Sequence, residues 1–158
     1  VVNTSSQSNV QLHNISSCVM TNFTSKMNTM KNGGSIECER SNVKVIFSEM
    51  SKNKAVLGGS VYASDCSLDI LNATISECEA SNGGGLFLSG GSGYFSHSIL
   101  SNNTAAYNGG GAVIEKDSTI QFDNILFDSN TAVYAGGLFI SGNATPTINN
   151  SVLSACTA

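Results

Sequence analysis

The stretch GGAVIEKDSTIQFDNILFDSNTAVYAGG, residues 110–137, opens and closes on a Gly-Gly pair. The same pair stands at 33–34, 58–59 and 84–85, so the five pairs are 25, 26, 26 and 26 residues apart. A register held that closely over five copies marks an internal repeat, and a repeat decides the fold before any other feature does. Other columns keep the period. Two residues beyond each pair's second Gly comes an apolar side chain: Ile36, Val61, Phe87, Val113 and Phe139. Ahead of the pairs runs a column of Asn28, Asn53, Cys78, Asn103 and Asn130, which reappears as Cys156. Three residues before most of these sits Met50, Ile75, Leu100, Phe127 or Leu153. Downstream, Val43, Leu68, Tyr94, Ile120 and Pro146 align, as do Val45, Ile70, Ser96, Phe122 and Ile148 two places on. Counting back 25 places from Val43 and Val45 reaches Cys18 and Met20, so a more degenerate copy fills about residues 8–32.

Each unit holds about three short apolar–polar alternations divided by Gly, Ser, Asn and Asp, which reads as strands. The Gly-Gly pairs disfavour helices further. Three strands and three turns make one coil of a parallel β-helix, each strand pairing with its equivalent one repeat away at about 4.8 Å. The expected fold class is therefore all-β. It is a parallel β-helix of about six coils of 25–26 residues over 8–158, preceded by linker-like sequence at 1–7. Solenoids need polar end caps and neither end reads as one, so the chain is expected to be an excerpt of a longer solenoid. Asn28, Asn53, Cys78, Asn103, Asn130 and Cys156 are expected to stack at one turn as an amide ladder interrupted by two small thiols. Ile36, Val61, Phe87, Val113 and Phe139 are expected to point inward. Alternation along a strand then turns their neighbours outward. Leu86, Leu88, Ala112, Ile114, Leu138 and Ile140 would form one exposed apolar patch three coils tall. Such a patch implies a protein partner: another copy, a flanking domain or a host receptor. Glycans are the second partner class expected.

Composition excludes other classes. At 41% hydrophobic and 11% charged, the chain is unlike a disordered one. No apolar run approaches the roughly 20 residues of a membrane span. Seven Lys+Arg against eleven Asp+Glu argue against nucleic acid as a partner.

Parallel β-helices also house polysaccharide lyases and hydrolases, so carboxylates matter. Asp65 and Asp117 fall in one column with Arg40, Gly91 and Asn143. No second Asp or His joins them, and Asp at a turn serves turn geometry, so no catalytic residue is assigned. His13 and His97 lie in different columns with no Cys or carboxylate at ligand spacing, so no metal is expected. The Gly clusters open no helix that could cradle phosphate, and no cofactor is expected. Lys44 and Asp69 share an outward column and are expected to form a weak surface pair. Of the five Cys, Cys78 and Cys156 are three coils apart, beyond bridging distance. Cys18 falls in an inward apolar column. Cys38 and Cys66 sit on neighbouring coils three columns out of step, and bridge only with a loop adjustment. Asn-x-Ser/Thr sequons begin at Asn3, Asn14, Asn22, Asn72, Asn102, Asn143 and Asn149. Asn22, Asn72 and Asn149 fall at one expected turn, Asn14 and Asn143 at another. In a eukaryotic secretory protein these are glycan candidates; in a bacterial one they are ladder and turn residues.

Gly110-Gly111-Ala112-Val113 and Phe127-Asp128-Ser129-Asn130 resemble the paired GGA(I/L/V) and FxxN motifs of the polymorphic membrane protein repeats of chlamydial autotransporters. Related repeats occur in protist and algal surface proteins. The other copies are looser, as in Gly33-Gly34-Ser35-Ile36 and Ile75-Ser76-Glu77-Cys78. The resemblance spans about residues 8–158. It implies an extracellular or cell-surface right-handed β-helix, adhesive or structural and without catalysis. The alternative is a fragment of a carbohydrate-active β-helix enzyme, a polysaccharide lyase or glycoside hydrolase.

Overall fold

The computed structural model describes residues 9–158, so the 1–7 segment and the Asn3 sequon lie outside the described residues. The chain winds into a parallel β-solenoid of about six coils. One coil shows the plan. Ile36–Glu39, Asn42–Ile46 and Glu49–Ser51 are three strands, and bridges at Lys54 and Leu57 mark a fourth side. Between the sides stand single left-handed residues: Arg40, Phe47, Lys52 and Gly58, at φ 46°, 49°, 57° and 61°. Each coil therefore turns four corners, where the sequence suggests three. A lone left-handed residue redirects the strand while its neighbours stay bonded to the coils on either side. Asn fills many of these positions, including Asn14, Asn22, Asn72, Asn102 and Asn124, because its short amide tolerates the left-handed basin. The abundance of Asn thus has a backbone cause.

The register departs from expectation in the later coils. Ile36 pairs with Val61, Val61 with Leu86, Leu86 with Ala112 and Ala112 with Leu138. Phe87, Val113 and Phe139 belong instead to the outward column of Glu37 and Tyr62. The cause is the triplet Gly83-Gly84-Gly85, which offers two pairs. The first pair is the one equivalent to 58–59: Gly83 takes the corner at φ 65°. Gly84 lies where coils approach closest, and a Cβ there would overlap the carbonyl oxygens of Gly110 and Thr104. Gly85 then occupies the column of Ser60.

A one-residue slip turns every side chain to the other face. Leu86, Leu88, Ala112 and Ile114 are core residues, 0%, 2%, 0% and 0% exposed. Leu138 packs half-buried against that core, and Ile140, 43% exposed, continues the same inward column in the last coil. The lateral apolar patch expected from these six residues does not form. By the same slip Gly93, not Tyr94, joins the inward column of Leu68 and Ile120, and Phe95 takes the place expected for Ser96.

Phe95, Phe122 and Phe127 pack together in the core, with successive ring centroids 5.3 Å and 5.7 Å apart. At one corner the inward column alternates hydrocarbon with hydroxyl: Phe23, Ser48, Ala73, Ser98, Ile125, Ser151. Ser98 Oγ donates to Ser96 O at 2.9 Å and accepts the Ala73 N–H at 3.0 Å. Ser48 and Ser151 repeat the pattern. Each inward hydroxyl is satisfied on both sides, so it costs little to bury.

The ladder column is hydrogen-bonded from coil to coil. Asn103 Nδ2 donates to Ile75 O at 3.1 Å, and Asn103 Oδ1 accepts the Cys78 N–H at 3.0 Å. Asn130 Nδ2 donates to Leu100 O, and Asn130 Oδ1 accepts from both the backbone and the side chain of Asn103. Asn28 and Asn53 form the same link at the other end. Where Cys replaces Asn, the thiol donates to the equivalent carbonyl: Cys78 to Met50 O at 3.9 Å, Cys156 to Phe127 O at 3.5 Å.

Beside the Gly corner the outward side chains pack on one another. Asn32 Nδ2 reaches across it to Glu37 Oε1 at 3.1 Å. Phe87 and Val113 point outward there yet are 7% and 2% exposed, and Tyr62 stacks on Phe87 with centroids 5.8 Å apart. The outward column thus forms a satellite cluster outside the main core.

Candidate functional site

The sheet that follows the first corner of each coil presents outward rows that are mostly polar, apart from Ile46 and Leu71. Asn42, Ser67, Ser92 and Thr119 lie in register, one per coil. Beside them run Lys44, Asp69, Tyr94, Gln121 and Thr147. A third row ends in Ser96, Asp123 and Asn149. The short first row beside longer side chains leaves a trough. Two open depressions, of about 150 and 240 Å3, follow one another along it, and a third, of about 530 Å3, lies on the other side of the Tyr94–Gln121 row, against Asp123 and Asn149. The first and second share Ser67 and Asp69, and the second and third share Gln121. The trough therefore runs from Ser17 in the first coil to Gln121 in the fifth, roughly 19 Å at the spacing between strands.

Its polar groups are held from within the stack. Asp69 Oδ1 accepts the Tyr94 N–H at 3.2 Å. At the third depression Asn150 Nδ2 donates to Asp123 Oδ1 at 3.0 Å. Tyr94 stands outward beside Gly93 and is 38% exposed. The sequence reading missed this platform because the glycine slip had turned Tyr94 into the core. The alternation Ser92-x-Tyr94 and Thr119-x-Gln121-x-Asp123 was the available signal, since each step of two keeps one face.

The other candidate residues are dispersed. Asp65 is a corner residue at φ 52°, in register with Gly90 and Lys116; Asp117 falls one place beyond that column. Arg40 Nε donates to Asn14 Oδ1 at 3.0 Å. Lys44 and Asp69 lie opposite one another, but Asp69 turns to Tyr94 and no ion pair joins the two. His13 Nδ1 lies 3.2 Å from Glu39 Oε2, while His97 occupies a corner with Nδ1 2.9 Å from Ser96 Oγ. Among the described residues no group of three or more His, Cys, Asp or Glu could hold a metal ion, and no helix is long and apolar enough to cross a membrane.

Cys38 and Cys66 form a disulfide, their Cα atoms 6.5 Å apart. Cys38 precedes the Arg40 corner of one coil and Cys66 follows the Asp65 corner of the next, so the bridge crosses the corner and absorbs the offset of three columns. Cys18, Cys78 and Cys156 are free.

All six described sequon residues are exposed. Asn14, Asn22, Asn72, Asn102 and Asn143 are left-handed corner residues. Asn149 is not: Asn150 takes that corner, and Asn149 ends the strand Thr147–Asn149 at the third depression.

The family model of the right-handed β-helix region matches residues 55–158, well over half of the chain. The chain belongs to this right-handed β-helix family. No curated protein and no solved structure matches it.

Proposed function

We propose that the chain forms an extracellular, non-catalytic rod whose lateral faces bind other molecules. The observation that carries this reading is the Cys38–Cys66 bridge. Such bonds persist in oxidising compartments and are rare in the reducing cytosol. The six exposed sequon residues support the same compartment, since an acceptor must be solvent-accessible. The resemblance to autotransporter and surface-protein repeats supports an adhesive or structural role. Coil-to-coil ladders give the stiffness such a role needs.

The test uses protein isolated from its natural source. Non-reducing peptide mapping should recover Cys38 joined to Cys66, and glycosidase treatment should leave deamidated Asn at several of Asn14, Asn22, Asn72, Asn102, Asn143 and Asn149. Freely alkylated Cys38 and Cys66, with unmodified sequons throughout, would remove the extracellular assignment. Chain-shortening of a polysaccharide, lost in Asp69→Asn or Asp123→Asn, would replace the rod with an enzyme.

A further inference from the structure

We infer that two copies of the chain pair side by side and antiparallel through the fourth side of the solenoid, the cations of one coil against the anions of the next. The inference rests on the reading of the lateral faces as binding surfaces and names the partner of one of them, a second copy.

The first observation is the order of charge along the axis. Residues 9–57, the first two coils, carry Lys26, Lys31, Arg40, Lys44, Lys52 and Lys54 against Glu37, Glu39 and Glu49, a net +3. Residues 58–109, the next two, carry Asp65, Asp69, Glu77 and Glu79 and neither Lys nor Arg, a net −4. A parallel pair would set like beside like at both levels. An antiparallel pair sets each half against its opposite.

The second is the pattern on the fourth side and on the corner before it. Thr29, Lys54, Glu79, Thr104 and Thr131 run along one row. Lys52 and Glu77 are the left-handed corner residues beside it. One coil thus presents two cations and the next two anions. Each Lys meets the Glu of the next coil, yet all four side chains remain more than half exposed. A two-fold axis across the rod, level with the gap between these coils, lays Lys52 and Lys54 of each copy against Glu77 and Glu79 of the other. The match is reciprocal, as an isologous contact requires. Moving the axis half a coil either way puts Lys54 on Lys54 or Glu79 on Glu79, so charge selects the register. The same axis brings Lys31 opposite Tyr107, since these stand one place before Asn32 and Asn108 of a single row, in the first and fourth coils. Tyr107 is exposed, and an ammonium over a tyrosine face is attracted to it.

The third is access. Asn14, Asn22, Asn72, Asn143 and Asn149 stand at the first two corners or on the sheet between them, and of the described sequon residues only Asn102 borders the fourth side. Four coils of that side make a strip of roughly 300 Å2 by strand spacing, well under the roughly 800 Å2 that each partner of a stable complex buries. The pairing is therefore weak, carried by charge and sensitive to salt.

Sedimentation velocity on the whole chain, its N-glycans trimmed enzymatically, reads the pairing at submillimolar concentration in about 20 mM and about 500 mM salt. A monomer–dimer equilibrium is expected at the lower salt and monomer at the higher. Lys52→Glu with Lys54→Glu, and separately Glu77→Lys with Glu79→Lys, should each abolish pairing, and an equal mixture of the two variants should restore it. Lys52→Gln with Lys54→Gln, which sets no like charges together within the chain, should weaken pairing about tenfold with the β spectrum intact. Carbodiimide coupling of mixed isotopically light and heavy chains reports the geometry: Lys52 or Lys54 of one mass should join Glu77 or Glu79 of the other. Monomer at both salts overturns the inference, as does a dimer indifferent to salt or a mixture of the reversed variants that stays monomeric. Coupling between masses confined to other carboxylates, such as Asp69 or Asp123, overturns it too. A chain that maps as disulfide-bonded and glycosylated yet stays monomeric sinks this inference alone. Unbridged cysteines and bare sequons in a natural chain that still pairs would remove the extracellular reading and leave the pairing standing.

Discussion

Cys78 replaces an amide with a thiol at the ladder position, and its surroundings show what that position demands. The thiol is fully buried. Burial pushes its pKa from the ordinary 9.0 up to about 11, against the pull of the Asn53 backbone N–H and the Ser60 side chain. The folded chain therefore keeps this proton to about pH 11, whereas the unfolded chain releases it near 9. Stability from the group is whole below about pH 9 and is lost as pH rises from there through 11, by about 3 kcal/mol. Cys78→Asn removes the titrating group and offers Nδ2 to the Met50 carbonyl and Oδ1 to the Asn53 N–H. Urea melts of both proteins at pH 8 and pH 11 should show a smaller loss in the variant. Equal losses would mean the thiol is not held neutral by its site. The column itself was legible in the sequence, because an amide ladder needs the same side chain at the same step in every coil. The alternating serines of the neighbouring corner were not, since Ser is everywhere in this chain and only their inward placement distinguishes them.

At the scale of strands and corners, legibility turned on three glycines. The period was plain, and with it the parallel coil. What the letters could not settle was which two of Gly83, Gly84 and Gly85 carry the corner, because each would fit a Gly-Gly template. The structure decides by sterics: the left-handed corner and the close approach must be adjacent, with the next position free to be Ser or Gly. Two substitutions separate the registers. Leu88→Asp, harmless had Leu88 faced solvent, places an unpaired carboxylate in the core and should destabilise by several kcal/mol. Tyr94→Asp, ruinous had Tyr94 faced inward, should shift the melting temperature little. Circular dichroism melts that rank the two the other way would restore the earlier register. Gly84→Ala should be worse than a usual helix or strand glycine change, by about 3 kcal/mol or more. Backbone oxygens block its Cβ on two sides, and neither can move without unpairing a coil.

Across the whole molecule the surface is uneven along the axis. Lys26–Glu49, Lys52–Glu77 and Lys54–Glu79, at 2.7, 3.7 and 2.8 Å, tie neighbouring coils in the first half. The later coils carry exposed Tyr94, Tyr107 and Tyr134 instead. Such exposed ion pairs contribute little each, so salt should scarcely affect melting. The Cys38–Cys66 bridge matters more. It closes a loop with a sequence separation of 28, and its reduction should lower stability by about 3–4 kcal/mol on chain-entropy grounds. The ladders remain, so the reduced chain should keep its β spectrum and melt earlier. Loss of that spectrum on reduction alone would show the bridge to be essential to folding. Spacing in sequence placed its two cysteines on neighbouring coils but in different columns, and only the corner between them brings the two together.

That same bond sets how the molecule would yield to a pull applied at its two ends. Neighbouring coils touch only neighbours, so tension peels them off one at a time, each releasing 25 or 26 residues, roughly 9 nm of slack. The stretch between Cys38 and Cys66 is tied to itself and cannot pay out. In a force-extension trace the oxidised chain should fall short of the reduced one by roughly 10 nm, the length of the tethered span. A tether that lengthens in steps and then stops at a fixed knot is what this arrangement provides.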